Sequence, residues 1–298
     1  MCYIHIIGAI EQYMSMFSFL KKPIHLPRRK AGDGEWQGFL SELKHPDILP
    51  IVIFSFVVIF VYNLSESVWQ ENVMLAESFL HGETYFDNRD HQFGYFSYKG
   101  VTYPDNLADT FEVNGKHYWH QTPLPAIAFL PFVWVFGPIP LQNYFNIFIS
   151  IANLYLVYAL ARTLGVERPK DAFLLAAAFL LGSAFIEIAI SPNVWQFNQN
   201  AATLFVLLSL YEFFTKKRWG RIGIFSALAI GLRLQLLPII LFFAGEIFFG
   251  NYQRQKIKKL VVVVAPAFLM LLFLAEYNYI RVGSVSLLTG FKNNMVGL

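Results

Sequence analysis

One polar stretch of an otherwise apolar chain holds the carboxylates Glu66, Glu71 and Asp109 together with the run His117-Tyr118-Trp119-His120-Gln121. Desolvation disfavours a charged carboxylate, so a carboxylate near lipid acquires a pKa suited to general-base work. Glu66 or Glu71, facing a cavity, would fit that task. The plainer alternative is a helix resting on a bilayer with both carboxylates solvated. The histidines with acids nearby could hold a metal, but no spacing matches a standard ligand set, and none is assigned. Aromatic rings beside carboxylates suit a sugar, although interfacial aromatics are expected of membrane proteins in any case.

Intramembrane charge is sparse: Glu187, Arg233, Glu246 and Glu276, with Arg281 just beyond the last apolar run. An arginine between two apolar half-helices must be ion-paired or must bind an anion, and lipid phosphate is an anion available at that depth. For Arg233 both readings stand, the ion pair being with Glu187 or Glu276.

The elements that position these groups are membrane helices. The chain is 56% hydrophobic and 14% charged, with a mean hydropathy of +0.46, which excludes an ordinary soluble domain. A net charge of +3 is too small to imply nucleic-acid binding, and the single Cys2 excludes an intrachain disulfide. Basic residues gather in short runs beside apolar segments: KKPIHLPRRK, ARTLGVERPK, TKKRWGR and NYQRQKIKK. Cytoplasmic loops have this pattern. The first twenty residues lack the charge order of a signal peptide; they read as an interfacial helix or extension, or as a signal anchor.

Spans are expected at 48–64, 139–164, 171–190, 199–215 and 260–279, with a hairpin of two short helices over 221–249 that turns near Arg233 and Pro238. Residues 66–81 predict an amphipathic helix, with Trp69, Val73, Ala76 and Leu80 apolar, Gln70, Glu77 and His81 polar, and Glu71 flanking. Asn114-Gly115 predicts a tight turn between two extended runs, and 123–137 a short interfacial or half-inserted helix. The fold expected is an all-α polytopic membrane protein: an N-terminal arm over 1–47, then one membrane unit over 48–298 whose outer loop is 65–137. The chain ends without a closing helix, as a truncated one would.

Several stretches, in order, resemble the GT-C glycosyltransferases, chiefly bacterial dolichyl-phosphate-mannose:protein mannosyltransferase-like and lipopolysaccharide-core transferase-like members. The stretches are AESFLHGETYFD, then NGKHYWHQTPLPAIAFLPFVWVFG, then IGLRLQLLPIILF, similar to the family's LTRPxxLLLLP hairpin, and EYNYIRVGSVSLLTGF, similar to YNYxRFGSxxxTGY. Together they cover about 60–291. The resemblance implies inverting transfer of a sugar from a polyprenyl-phosphate donor on the outer leaflet, with an outer-loop carboxylate as base. The donor phosphate would meet Arg233 and Arg281, and the sugar or acceptor would meet His117, Tyr118, His120 and Gln121. Two departures stand out. The family's Asp-Glu pair would fall on Val68-Trp69, neither of which is a base, leaving Glu71, Glu66 and Asp109 as substitutes. His120-Gln121 also replaces the family's acidic or polar residue and lysine.

The partners implied are the polyprenyl-linked sugar, the bilayer, and a glycan, lipid or protein acceptor; a divalent cation is left open. The location implied is multi-pass in the bacterial plasma membrane, with the site outside. The alternatives are a lipid or solute transporter or flippase, which would show repeats and midplane charge, and a non-catalytic membrane scaffold.

Overall fold

The computed structural model describes residues 40, 49–65, 70–85, 110–114, 116–250, 255–283, 285 and 287. Glu66, Asp109 and all of the proposed arm 1–47 except Leu40 lie outside them. In chain order the elements are α1 (Leu49–Ser65), α2 (Glu71–Leu80), β1 (Thr110–Val113), β2 (Lys116–Trp119), α3 (Leu124–Phe136), α4 (Leu141–Thr163) and α5 (Pro169–Leu181). Then come α6 (Phe185–Ile190), α7 (Val194–Phe214), α8 (Trp219–Leu232), a 3-10 turn (Leu234–Leu236), α9 (Pro238–Phe249) and α10 (Lys256–Val282). The fold is helical, and α4 and α10 are long and apolar enough to cross a bilayer.

The burial pattern of α1 is inverted relative to a soluble helix. Ser55, Ile59 and Asn63, four residues apart, form the buried stripe, while Phe54, Phe56 and Val61 are about half exposed. Such a helix turns its apolar side chains to lipid and its polar ones to neighbouring helices. In α10 the buried stripe is Val263, Ala267, Leu274, Tyr277, Asn278 and Arg281. The helix stops at Gly283, whose φ of +67° is a left-handed cap.

Helices α8 and α10 run parallel in close contact. Gly223 lies against the backbone of Val262 and Val263, and Gly231 against Met270, an equal step of eight along each helix. Helices α4 and α7 are also parallel: Asn146 meets Asn200, and further along Leu156 and Leu160 pack with Leu207.

The hairpin expected over 221–249 is present. Pro238 has no N–H to continue the helix, and Arg233 adopts an extended conformation at the break. Lys217 Nζ lies 3.4 Å from Glu246 Oε1, bringing the start of α8 and the end of α9 to the same side. There too, Glu212 accepts from Arg218 Nε at 2.7 Å and pairs with Arg221 at 3.5 Å. The Glu212 hydrogen bond raises the Arg218 pKa above its ordinary value.

Three expectations need correction. The span over 171–190 is two helices, α5 and α6, because the chain breaks at Gly182-Ser183, where Ser183 Oγ accepts from Phe185 N–H at 3.1 Å. Helix α7 begins at Val194, five residues before the expected span, so Asn198 and Asn200 lie inside a helix. Helix α2 keeps only part of its expected polar stripe in water: Glu77 is half-buried and His81 exposed. Gln70, Glu71 and Asn72 are buried, and the nominally apolar Leu80 is 42% exposed. The Asn-Gly turn is as expected: β1 and β2 pair antiparallel, Phe111 opposite Tyr118, with Asn114 at φ +55°.

Candidate functional site

A water-free interior forces helix ends to find partners among side chains, since the first N–H and last C=O groups have none within the helix. At one end of this bundle a set of carboxamides meets that demand. Gln70 precedes α2 and Gln142 is the second residue of α4. Gln142 Oε1 accepts from the Asn72 N–H at 2.8 Å, and the Gln142 N–H donates to Gln70 Oε1 at 3.0 Å. Each glutamine therefore caps the other's helix. Gln142 Nε2 also donates to the Pro192 carbonyl at 3.0 Å, just ahead of α7.

The network continues on both sides. Gln70 donates to Asn143 Oδ1 at 2.6 Å, and Asn143 to the Asn63 carbonyl at 2.6 Å, satisfying the last turn of α1. The Ala189 carbonyl, at the end of α6, accepts from Asn63 at 2.7 Å and from Asn146 at 3.1 Å. Deeper in the bundle, Asn200 donates to Asn146 Oδ1 at 2.7 Å and Ser150 Oγ at 2.8 Å, while Asn153 donates to Asn200 Oδ1 at 2.7 Å. Toward the hairpin, Asn72 donates to Asn198 Oδ1 at 3.3 Å, and Asn198 to Gln121 Oε1 at 3.1 Å.

Glu71 lies within this assembly, 5% exposed in the first turn of α2, between the two residues that carry the reciprocal caps. A helix N-terminus favours a carboxylate. Glu71 is the one candidate base whose position is described.

The hairpin brings Tyr118 and Gln121 into buried positions and leaves His120 half-buried, its ring 5.0 Å from that of Phe111. The side chain of His117 lies outside what is described. Gln121 Nε2 is buried without a hydrogen-bond acceptor.

The two arginines differ in setting. Arg281 is 5% exposed and enclosed by rings: its guanidinium carbon is 4.7 Å from the Tyr277 centroid and 5.4 Å from those of Phe111 and Tyr118. It donates to the Trp119 carbonyl, which fastens the hairpin to the end of α10. Arg233 is half-buried at the α8 break. It donates to the Trp195 carbonyl and stacks on the Trp195 ring at 5.1 Å, and its Nε lacks an acceptor. Among the described residues it has no carboxylate partner, and both Glu187 and Glu276, the partners considered for it, are exposed.

The structure thus gathers Glu71, Tyr118, Gln121, Arg233 and Arg281 around the starts of α2, α4 and α7 and the ends of α8 and α10. Arg281 is tied to Trp119, two residues before Gln121 in the chain, Gln121 is linked through Asn198 to Asn72, and Arg233 is tied to Trp195 in the first turn of α7. No group of three or more His, Cys, Asp and Glu near enough to hold a metal occurs among the described residues. Of the carboxamides, Gln70 and Gln121 were named from sequence, but Gln142 and the asparagines were not. Their signal was the spacing of Asn143, Asn146, Ser150 and Asn153 along one helical face inside an apolar run.

Residues 100–277 match the model of a family described as predicted membrane protein (DUF2079). No curated protein and no solved structure matches the chain.

Proposed function

The chain belongs to the DUF2079 family of membrane proteins, and from that premise we propose that it is an inverting glycosyltransferase using a polyprenyl-phosphate sugar donor. The acceptor oxygen attacks the anomeric carbon, a carboxylate takes its proton, and polyprenyl phosphate leaves with the bonding electrons. The GT-C resemblance over the outer loop and the 221–249 hairpin supports this reading. The observation that carries it is Arg233: a guanidinium at a helix break, held by Trp195, with a buried Nε donor that lacks an acceptor. Such a group suits a phosphate at membrane depth. Glu71 is the first choice of base, with Glu66 and Asp109 next. His117, Tyr118, His120 and Gln121 are assigned to sugar or acceptor. The site faces outward, because the basic runs at the opposite end mark the cytoplasmic side.

The test is acceptor-dependent release of polyprenyl phosphate by the purified chain in lipid, with donor binding measured in parallel. Arg233→Lys should keep part of the donor affinity and Arg233→Gln should lose far more. Equal donor affinity in the unaltered chain and the Gln variant would leave Arg233 a structural role only.

A further inference from the structure

Gln142 has backbone and side chain committed to three bonds that reach two separate segments, the start of α2 and the residue two before α7. Its N–H goes to Gln70 Oε1, its Oε1 to the Asn72 N–H, and its Nε2 to the Pro192 carbonyl. It is fully buried, as is Gln70 to within 1%. The residue between the two α2 contacts is Glu71. Ordinary helix packing would not require this arrangement, since a local serine or aspartate caps a helix more simply. A long-range glutamine instead fixes α2 in rotation and height against α4 and the start of α7.

We infer that Gln142 and Gln70 are a positioning pair that sets the Glu71 carboxylate relative to the start of α7 and the end of α8. This rests on the proposed transferase reading, in which Glu71 is the base. A base must lie within hydrogen-bond reach of the acceptor hydroxyl, so a small rotation of α2 would remove it from range while leaving the arginines in place.

The experiment uses the full chain in lipid nanodiscs with Cys2 replaced by serine. Spin labels are placed on Leu80 in α2 and Phe148 in α4, both exposed, with Ile224 in α8 and Phe268 in α10 as a control pair. Gln142→Met, which keeps length but loses both side-chain bonds, should broaden the 80–148 distance distribution and leave 224–268 unchanged. Turnover should fall about 10²-fold, with donor affinity retained. Gln142→Glu keeps an acceptor for the Asn72 N–H and should recover part of both effects. Gln70→Met, which removes the other half of the pair, should repeat the broadening and serves if Gln142→Met does not insert. An unchanged 80–148 distribution in both Met variants overturns the inference, as does broadening with full turnover. Broadening with no turnover even in the unaltered chain upholds the fixed placement of α2 and overturns the transferase reading instead.

Discussion

Arg281 donates to the backbone carbonyl of Trp119, joining the end of α10 to a β-hairpin 162 residues earlier in the chain. The guanidinium is packed against Phe111, Tyr118 and Tyr277, so the same contact is both a hydrogen bond and a cation–π cluster. A charged hydrogen bond of this kind contributes about 1.5–3 kcal/mol. Arg281→Met should therefore lower hydrogen-exchange protection of residues 110–119 by roughly 10- to 150-fold, with α4 unaffected. Unchanged protection would mean that the hairpin is held by its aromatic packing alone.

The carboxamide ladder makes a second prediction. Asn200→Leu leaves Asn146 Oδ1 without the donor it has from Asn200 and removes the acceptor used by Asn153. Each orphaned group should cost about 1–3 kcal/mol. A double-mutant cycle with Asn153→Leu, followed by unfolding in detergent, should show coupling of at least about 0.5 kcal/mol. Strict additivity would indicate that the two residues act independently.

Two glycines give opposite expectations. A Cβ on Gly223 would lie 2.7 Å from the Val262 carbonyl oxygen, whereas one on Gly245 would meet nothing within 4 Å. Gly223→Ala should destabilise by about 1–3 kcal/mol, because the contact is with backbone and α8 must move from α10. Gly245→Ala should stabilise by about 0.5–1 kcal/mol through reduced chain entropy. Melting temperatures of the two variants should shift in opposite directions; equal shifts would mean that α8 and α10 are not in close contact.

The orientation is tested by labelling in intact cells, with Cys2 replaced by serine. A cysteine at the exposed His81 should react with an impermeant maleimide, and one at Lys217 should not. The reverse pattern would place the carboxamide end inside the cell and remove the proposed site from its donor.

Hydropathy made the helices legible, and local chemistry made the turns legible. Asn114-Gly115 specified the hairpin turn, and Pro238 marked the first turn of the second half-helix, because both act through the backbone of their own segment. The α5–α6 break was missed because Gly182-Ser183 sits in an apolar run that meets every criterion of length for one span. The polar core was missed for a different reason. Period and polarity cannot tell whether Gln70 and Glu71 face water or another helix, and in α2 the polar end of the segment is the buried one. Only the trans contact with Gln142 settles it, and pairings between distant residues leave no mark in a single sequence.

The base is the most consequential assignment. An inverting transfer needs a carboxylate beside the acceptor hydroxyl, because a neutral hydroxyl is a poor nucleophile at a sugar carbon. Glu71 has the strongest claim: it is buried in the first turn of α2, between the two residues tied to Gln142, and the network leads from Asn72 to Gln121. Glu71→Gln preserves size and hydrogen-bonding capacity while removing the basic group. It should therefore leave folding and donor affinity close to those of the unaltered chain and slow turnover by about 10²–10⁴. Glu66→Gln and Asp109→Asn, assayed beside it, should retain most of their rate. If the large loss falls on Glu66 or Asp109 instead, the base is that residue and Glu71 is an N-terminal helix charge of structural value. If all three turn over at near the unaltered rate, the proton goes to a group outside this set.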